Sequence, residues 1–369
     1  NSFPGYPEPT RRAFEFVGAQ HALWDDKTKG WRSAIHMKVV TIRNSNGLIA
    51  YSGGIDVWPD RLTDEKHENS TTGSGLAGFS GQMGQHDVQL KVTGDAADEL
   101  NLVLYQRWAD QNKDDAVFWP PVDHEYAFVG PHLVQVARTA PNETDEVQGK
   151  TKLSFAKDGD FTIRDTLLQA ISRAKEYVYI EDQYFSNQAI ADALIDRLKN
   201  GLKFLIVVIP DVVWEFDWNN IPAWLSTPNP TVLFDKSPKE LAQKISQEDP
   251  NNGVNVRFCS LTNRHGQKIY VHSKTQIIDD VFVSCGSANL DILGLGVDPN
   301  QPTSQECNLM IIDQTVVSSG RRQFARDLRA KLWSEHLNVD IRPIKAKDPL
   351  TAFRDYWQKP IGHIQFLNP

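Results

Sequence analysis

The chain has 369 residues, beyond the size at which one hydrophobic core usually stops growing, so one bilobal unit or two domains is expected. A hydrophobic content of 40% with 23% charged residues fits an ordinary globular protein, and no apolar run approaches the roughly 20 residues that span a bilayer. A net charge of -8 and a pI near 5.7 argue against binding through a broad basic surface, so no nucleic-acid partner is expected.

The first thirty residues carry several Pro and Gly without a clear period and lead directly to His36. Residues 35–43 then read as a strand, Asn44 to Gly47 as a turn, and residues 48–52 as a returning strand that ends in Gly53, Gly54, Ile55 and Asp56. Residues 57–85 are polar and Gly-rich, with Leu76 and Phe79 as exceptions, and predict a long loop near the site. Residues 86–92 alternate as a strand, and Ala97, Leu100 and Leu104 recur at helical spacing over 95–108, with Asp95 as the cap. Residues 111–123 and 140–149 are connections, and a boundary in the second divides the chain into lobes at 1–145 and 146–369.

The second part is more regular. Asp165 is placed as the cap of a helix carrying Leu167, Leu168, Ile171 and Ala174; residues 177–181 follow as a strand. A helix over 189–199 is stopped by Gly201, and 202–209 is a largely apolar strand. This alternation predicts an α/β fold with a mixed, mainly parallel sheet buried on both faces and flanked by helices. Residues 211–230 break it with Trp214, Phe216, Trp218, Trp224 and three prolines. They read equally as an aromatic cover or as an interfacial loop placing indole rings among lipid headgroups. A strand at 254–259 resumes the sheet, and residues 314–337 close it with a helix carrying Phe324, Leu328 and Trp333. Cys259, Cys285 and Cys307 lie in apolar strand-like segments without metal-ligand spacing, which predicts buried free thiols.

Between these elements lies the stretch with the most chemistry. Residues 270–278 and 281–285 read as two strands joined at Asp279 and Asp280, a hairpin that puts His272 and Lys274 on one face and returns Gly286, Ser287 and Asn289 to the same end. Lysine, short donors and glycine are what a phosphate requires: a cation, hydrogen bonds and close backbone approach. His36, Lys38, Gly53 and Gly54 repeat the device. Two copies predict two lobes meeting across a pseudo-two-fold axis with their histidines facing.

The pattern His-x-Lys, four residues, Asp, six residues, Gly-Ser-x-Asn is met by His272, Lys274, Asp279, Gly286, Ser287 and Asn289. It resembles the phospholipase D superfamily. Gly53 to Asp56 with Arg61, His86-Asp87, Gln106 to Trp108, Val134 to Val136 with Arg138, Tyr179 to Phe185, and Leu328 to Leu337 are similar, in order, to its eukaryotic-type branch. In the first copy Arg43 stands where the motif has Asp, and nine residues precede Gly53 instead of six. The resemblance implies a site at the lobe interface, with His36 attacking phosphorus, His272 protonating the leaving alcohol, and Lys38, Lys274 and Asn289 holding the phosphate oxygens. It puts Asp87 and Glu306 on the histidine of the opposite copy, and Ser287, Gly54, Asp56 and Gln183 on the substrate side.

A glycerophospholipid substrate, a phosphohistidine intermediate, no metal and no cofactor follow from the same resemblance. The implied partner is a phospholipid membrane surface, and by analogy alone the chain is similar to bacterial phospholipase effectors and toxins. The superfamily places further strands before its first histidine, so completion of the first lobe by an N-terminal fragment of the same precursor, or by an upstream region, is expected. A nuclease or other phosphodiesterase, and a catalytically dead phospholipid-binding protein with only the second motif intact, are the alternatives.

Overall fold

The computed structural model describes residues 33–45, 47–56, 63–68, 84–111, 130–146, 149–215, 236–297, 303–317 and 320–369. The first thirty residues, Arg61, the loop positions Leu76 and Phe79, and Phe216, Trp218 and Trp224 of the aromatic stretch lie outside them.

A large mixed sheet dominates the chain. Its strands are β3 (Gly84–His86), β5 (His132–Thr139), β8 (Tyr177–Glu181), β9 (Phe204–Val208), β10 (Val256–Thr262), β11 (Lys268–Val271), β12 (Thr275–Ile278), β13 (Phe282–Gly286), β14 (Glu306–Asp313) and β15 (Ile364–Phe366). The order is β3-β11-β10-β9-β8-β12-β13-β14-β5, with β15 added on β10. Pairing is parallel for β8 with β9, β9 with β10, and β3 with β11, and antiparallel elsewhere. Helical connections make only the β8-β9-β10 segment parallel, so the sheet expected to be mainly parallel is mainly antiparallel, with β3 joining parallel to β11 at the edge. A smaller antiparallel sheet, β1 (Val39–Asn44), β2 (Gly47–Gly53) and β4 (Gln89–Thr93), is ordered β1-β2-β4 and packs on α1 (Asp95–Gln111). The short hairpin β6 (Glu143–Glu146) and β7 (Gly149–Lys152) falls at the expected lobe connection.

Both faces of the large sheet are apolar because its central strands are hydrophobic at odd and even positions alike. Val178, Ile180, Leu205 and Val207 pack on α2 (Thr162–Ser172), α3 (Gln188–Lys199) and, beyond the short α4 (Asp211–Trp214), α5 (Pro238–Glu248). Tyr177, Tyr179, Phe204 and Ile206 face the opposite way. After the short α6 (Ile292–Leu295), that second layer is built by α7 (Gln323–Leu337), α8 (Ile341–Ala346) and α9 (Pro349–Tyr356). Phe204 stacks between Tyr177 and Phe353, with ring centroids 5.1 and 4.4 Å away. Among the described residues no helix is long and apolar enough to cross a membrane.

Several expected boundaries shift for nonlocal reasons. The strand read over 270–278 is two strands: β11 ends at Val271 beside β3, and β12 begins at Thr275 beside β8. The strand read from His86 to Val92 likewise splits into β3 and β4, which join different sheets. Asp165 is not a cap, because α2 starts at Thr162, whose N–H donates to Asp160. The closing helix begins at Gln323 instead of Gln314. Cys259, Cys285 and Cys307 are buried free thiols, and burial pushes Cys285 and Cys307 up to about 12.

Candidate active site

The two strand breaks meet. The N–H groups of His272 and Ser273 both donate to the His86 carbonyl, at 2.9 and 3.2 Å. The N–H groups of His36 and Met37 both donate to the Gln305 carbonyl, at 3.0 and 3.1 Å. Each His-x-Lys turn is thus docked on the residue before a carboxylate, Asp87 in one case and Glu306 in the other. His86 and Gln305 thus accept matching pairs of N–H groups; the sequence marked His86 only as part of the His86-Asp87 segment and gave neither carbonyl this role. Their only local sign is that each precedes an acidic residue.

The carboxylates cross between the copies. His272 Nδ1 donates to Asp87 Oδ2 at 2.8 Å, and His36 Nδ1 donates to the Glu306 oxygens at 2.9 and 3.1 Å. A proton fixed on Nδ1 leaves each Nε2 lone pair free. The lysines show the same symmetry, since Lys38 Nζ donates to the carbonyl of His36 at 2.7 Å and Lys274 Nζ to that of His272 at 2.5 Å. Asp56 stands between the copies, its carboxylate 3.3 Å from Lys38 Nζ and 3.8 Å from His272 Nε2. One anionic group therefore already lies between Lys38 of the first motif and the His272 imidazole of the second.

Other residues named from the sequence hold the site together. Ser287 is fully buried; its hydroxyl donates to Glu306 at 2.5 Å and accepts the Cys307 N–H, so it orients the carboxylate that orients His36. Gln183 accepts from Lys274 Nζ at 3.1 Å and donates to the Tyr270 and Tyr184 hydroxyls, which fixes the lysine. Gly54 lies against the Asp87 carboxylate, with which a Cβ would collide; a Cβ on Gly286 would strike Asn308. These close approaches explain the glycines by packing. Asn289 is buried with no partner for its Oδ1, so its carboxamide keeps unused capacity.

Asp279, the motif's acid, faces away from this cluster. Its carboxylate accepts the N–H groups of Lys175, Glu176 and Tyr177 at 2.7 to 2.8 Å and so holds the turn to β8. In the first copy Arg43 sits on the exposed β1–β2 hairpin, 3.8 Å from Asp98. Its departure from the motif removes a fold support and not a phosphate contact.

Burial governs ionisation. It lifts the Asp87 carboxyl to about 6 against Lys274, and it lowers Lys274 to about 8. The His272 imidazole is held well below its ordinary value by burial and then by Lys274, Lys38 and His36, with Asp56 opposing. Burial raises the Asp56 carboxyl, but Lys38, His272 and His36 together outweigh it and hold that group low.

Two His-x-Lys turns whose histidines are held by crossed carboxylates on an α/β scaffold define a paired-histidine site. The family model described as "Cardiolipin synthase, PLD-like domain" matches residues 167–328. Phospholipase D alpha 1 of Carica papaya is 23% identical over 385 residues, covering 79% of this chain and 46% of that protein. Cardiolipin synthase 2 of Staphylococcus epidermidis is 27% identical over 325 residues, covering 86% and 52%. The solved phosphatidylserine synthase of Haemophilus influenzae Rd KW20 overlays with a TM-score of 0.48 at 11% identity, over 87% of this chain and 68% of that one. The chain spans about half the length of the curated relatives it matches. The family match thus places residues 167–328 in a phospholipase D-like domain, and the relatives similar to the rest of the chain carry phospholipase D and cardiolipin synthase names.

Proposed function

We propose that the protein is a phospholipase D-type phosphodiesterase that cleaves glycerophospholipids at a membrane surface into phosphatidic acid and a free headgroup alcohol. The observation that carries this reading is the anion position held by Asp56 between Lys38 and His272, flanked by two imidazoles with opposed orienting carboxylates. A phosphodiester displacing Asp56 meets Lys38, Lys274 and Asn289 around its oxygens, groups suited to the charge that grows in the transition state.

In this reaction His36 Nε2 attacks phosphorus and forms an N–P bond. The P–O bond to the headgroup breaks, and its oxygen takes a proton from His272. Water then attacks the phosphohistidine, gives its proton to His272, and releases phosphatidic acid with the His36 imidazole restored. A primary alcohol in place of water yields a phosphatidyl alcohol. A second reading exchanges the histidines, and one observation favours it: His272 is the more buried of the two and is held neutral, with its lone pair available.

The test is headgroup release from mixed phosphatidylcholine, phosphatidylethanolamine and phosphatidylglycerol vesicles, with an ethanol arm and a DNA arm. Release and phosphatidylethanol formation, both lost in His36→Ala and His272→Ala, are the expected result. Cleavage of DNA alone would replace the lipid reading with the nuclease one, and vesicle binding without turnover would leave a phospholipid-binding protein. Peptide mapping of an acid-quenched reaction shows which histidine carries the phosphoryl group.

A further inference from the structure

Next to the orienting acid Asp87 in the chain, His86 belongs to a second polar cluster that the proposed reaction does not use. It joins three elements: residues 63–68, β3 through His86, and α7 through Glu335. His67 Nε2 is 3.3 Å and His86 Nδ1 is 3.0 Å from the same carboxylate oxygen, Glu335 Oε1. The three donor atoms lie within 4.8 Å of one another.

The ring of His67 is the feature that needs a ligand. Its side chain is 4% exposed, and neither ring nitrogen has a hydrogen-bond partner, the contact with Glu335 lacking hydrogen-bond geometry. A buried imidazole with Nδ1 unpartnered and Nε2 held only by this 3.3 Å ion-pair contact is costly to keep. Yet the backbone holds the ring there: His67 has φ 54°, its N–H donates to the Asp64 carbonyl, and its carbonyl accepts from Asn263. A left-handed non-glycine residue persists where its surroundings over-determine it.

Donor spacing and chemistry fit a small divalent cation. Ligands about 2.0–2.2 Å from a tetrahedral zinc stand roughly 3.3 Å apart, close to the two separations found here. Two imidazoles with one carboxylate suit zinc and its first-row neighbours better than calcium or magnesium, which favour oxygen-rich shells. The outer shell matches as well. His86 Nε2 donates to Glu181 Oε2 at 2.9 Å, which turns Nδ1 toward the cluster, and Glu181 is itself fixed by His336 Nε2 at 2.8 Å. A metal-bound histidine held through its other nitrogen by a carboxylate is the usual second-shell device. The neighbouring His363 is engaged with the Thr262 carbonyl and is left out of the ligand set.

We propose that His67 Nε2, His86 Nδ1 and the Glu335 carboxylate form a zinc-type metal site, with a water as fourth ligand on the side where Glu335 is 21% exposed. Its role is structural: it clamps the loop, the strand and the helix together one residue from Asp87. The phosphoryl transfer does not pass through it, so this inference stands whether the substrate is a lipid or another phosphodiester.

The experiment is metal titration of full-length, chelator-stripped protein with Zn2+ by calorimetry and with Co2+ by visible absorption. One ion per chain, with tetrahedral Co2+ bands and a raised unfolding temperature, is expected. His67→Gln removes a ligand on a surface loop and is expected to weaken binding by more than about 100-fold, while Glu181→Gln weakens it about 10- to 100-fold. His36→Ala is expected to bind as tightly as the parent. No ion bound by the parent, full affinity in a folded His67→Gln protein, or loss of the ion in His36→Ala would each overturn the assignment. Should Glu181→Gln fail to fold, His67→Gln with its fold checked by circular dichroism decides alone.

Discussion

Replacing Asp56 by Asn removes an anionic side chain that lies between Lys38 of one motif and His272 of the other. At 3.3 Å from Lys38 Nζ, a unit charge pair is worth about 1 kcal/mol in water-like surroundings and roughly 5 kcal/mol at an effective dielectric of 20. Asp56 is 38% exposed, so screening favours the lower end. An entering anion must displace the carboxylate, and relief of about 1–2 kcal/mol corresponds to roughly five- to thirtyfold tighter binding. The assay is calorimetric titration of inorganic phosphate or tungstate into the parent and Asp56→Asn proteins at fixed ionic strength, which needs no turnover. Tighter binding is expected in the variant, with a shallower salt dependence in the parent. Weaker binding by tenfold or more would show that Asp56 organises Lys38 for the ligand instead of standing in for it, and would remove the basis for placing the phosphate there.

Glu306→Gln keeps the size of the side chain that meets His36 and Ser287 but weakens its hold on the Nδ1 proton. Turnover is expected to fall about 10²- to 10⁴-fold with little change in KM, and a rise in KM alone would contradict the orienting role. Arg329 and Asp280 are a fully buried pair joined at 2.6 and 2.9 Å, so Arg329→Met should destabilise by about 3–5 kcal/mol in urea unfolding. Lys274 falls from an ordinary 10.5 to about 8 on folding. Its charge is present in the folded protein below that pH and lost above it, so phosphate binding should weaken as pH rises through about 8. Between about 8 and 10.5 the unfolded chain holds the extra proton, so this group's effect on stability rises with pH across that window. Phosphate titrations at pH 7 and 9 check the first statement, and a Lys274→Met control the second.

How much of this was legible beforehand differs by element. The strands at 177–181 and near 202–209, the helix near 189–199 and both hairpin turns carry their own signals: apolar period and Gly201, which adopts φ 95°; Asn187 as the helix cap emerged only from the structure. Asp279 and Asp280 likewise adopt positive φ at the expected turn. The breaks at 271–275 and 86–89 carry no such signal, because a strand's end is set by where its partner ends. Ser287, Gln183 and Gly54 were recognisable as site residues, but their work on Glu306, Lys274 and Asp87 was not.

The sequence alone determined the chemical vocabulary of the site and its duplication, since residue type and short-range spacing are properties of a local stretch. Only the tertiary structure decided which carboxylate serves which histidine, that Asp56 fills the space between them, and that His67 reaches His86 and Glu335. Those pairings join positions up to 270 residues apart. Contacts at such separation arise from how sheets stack and strands cross, and that is settled by the packing of the whole chain.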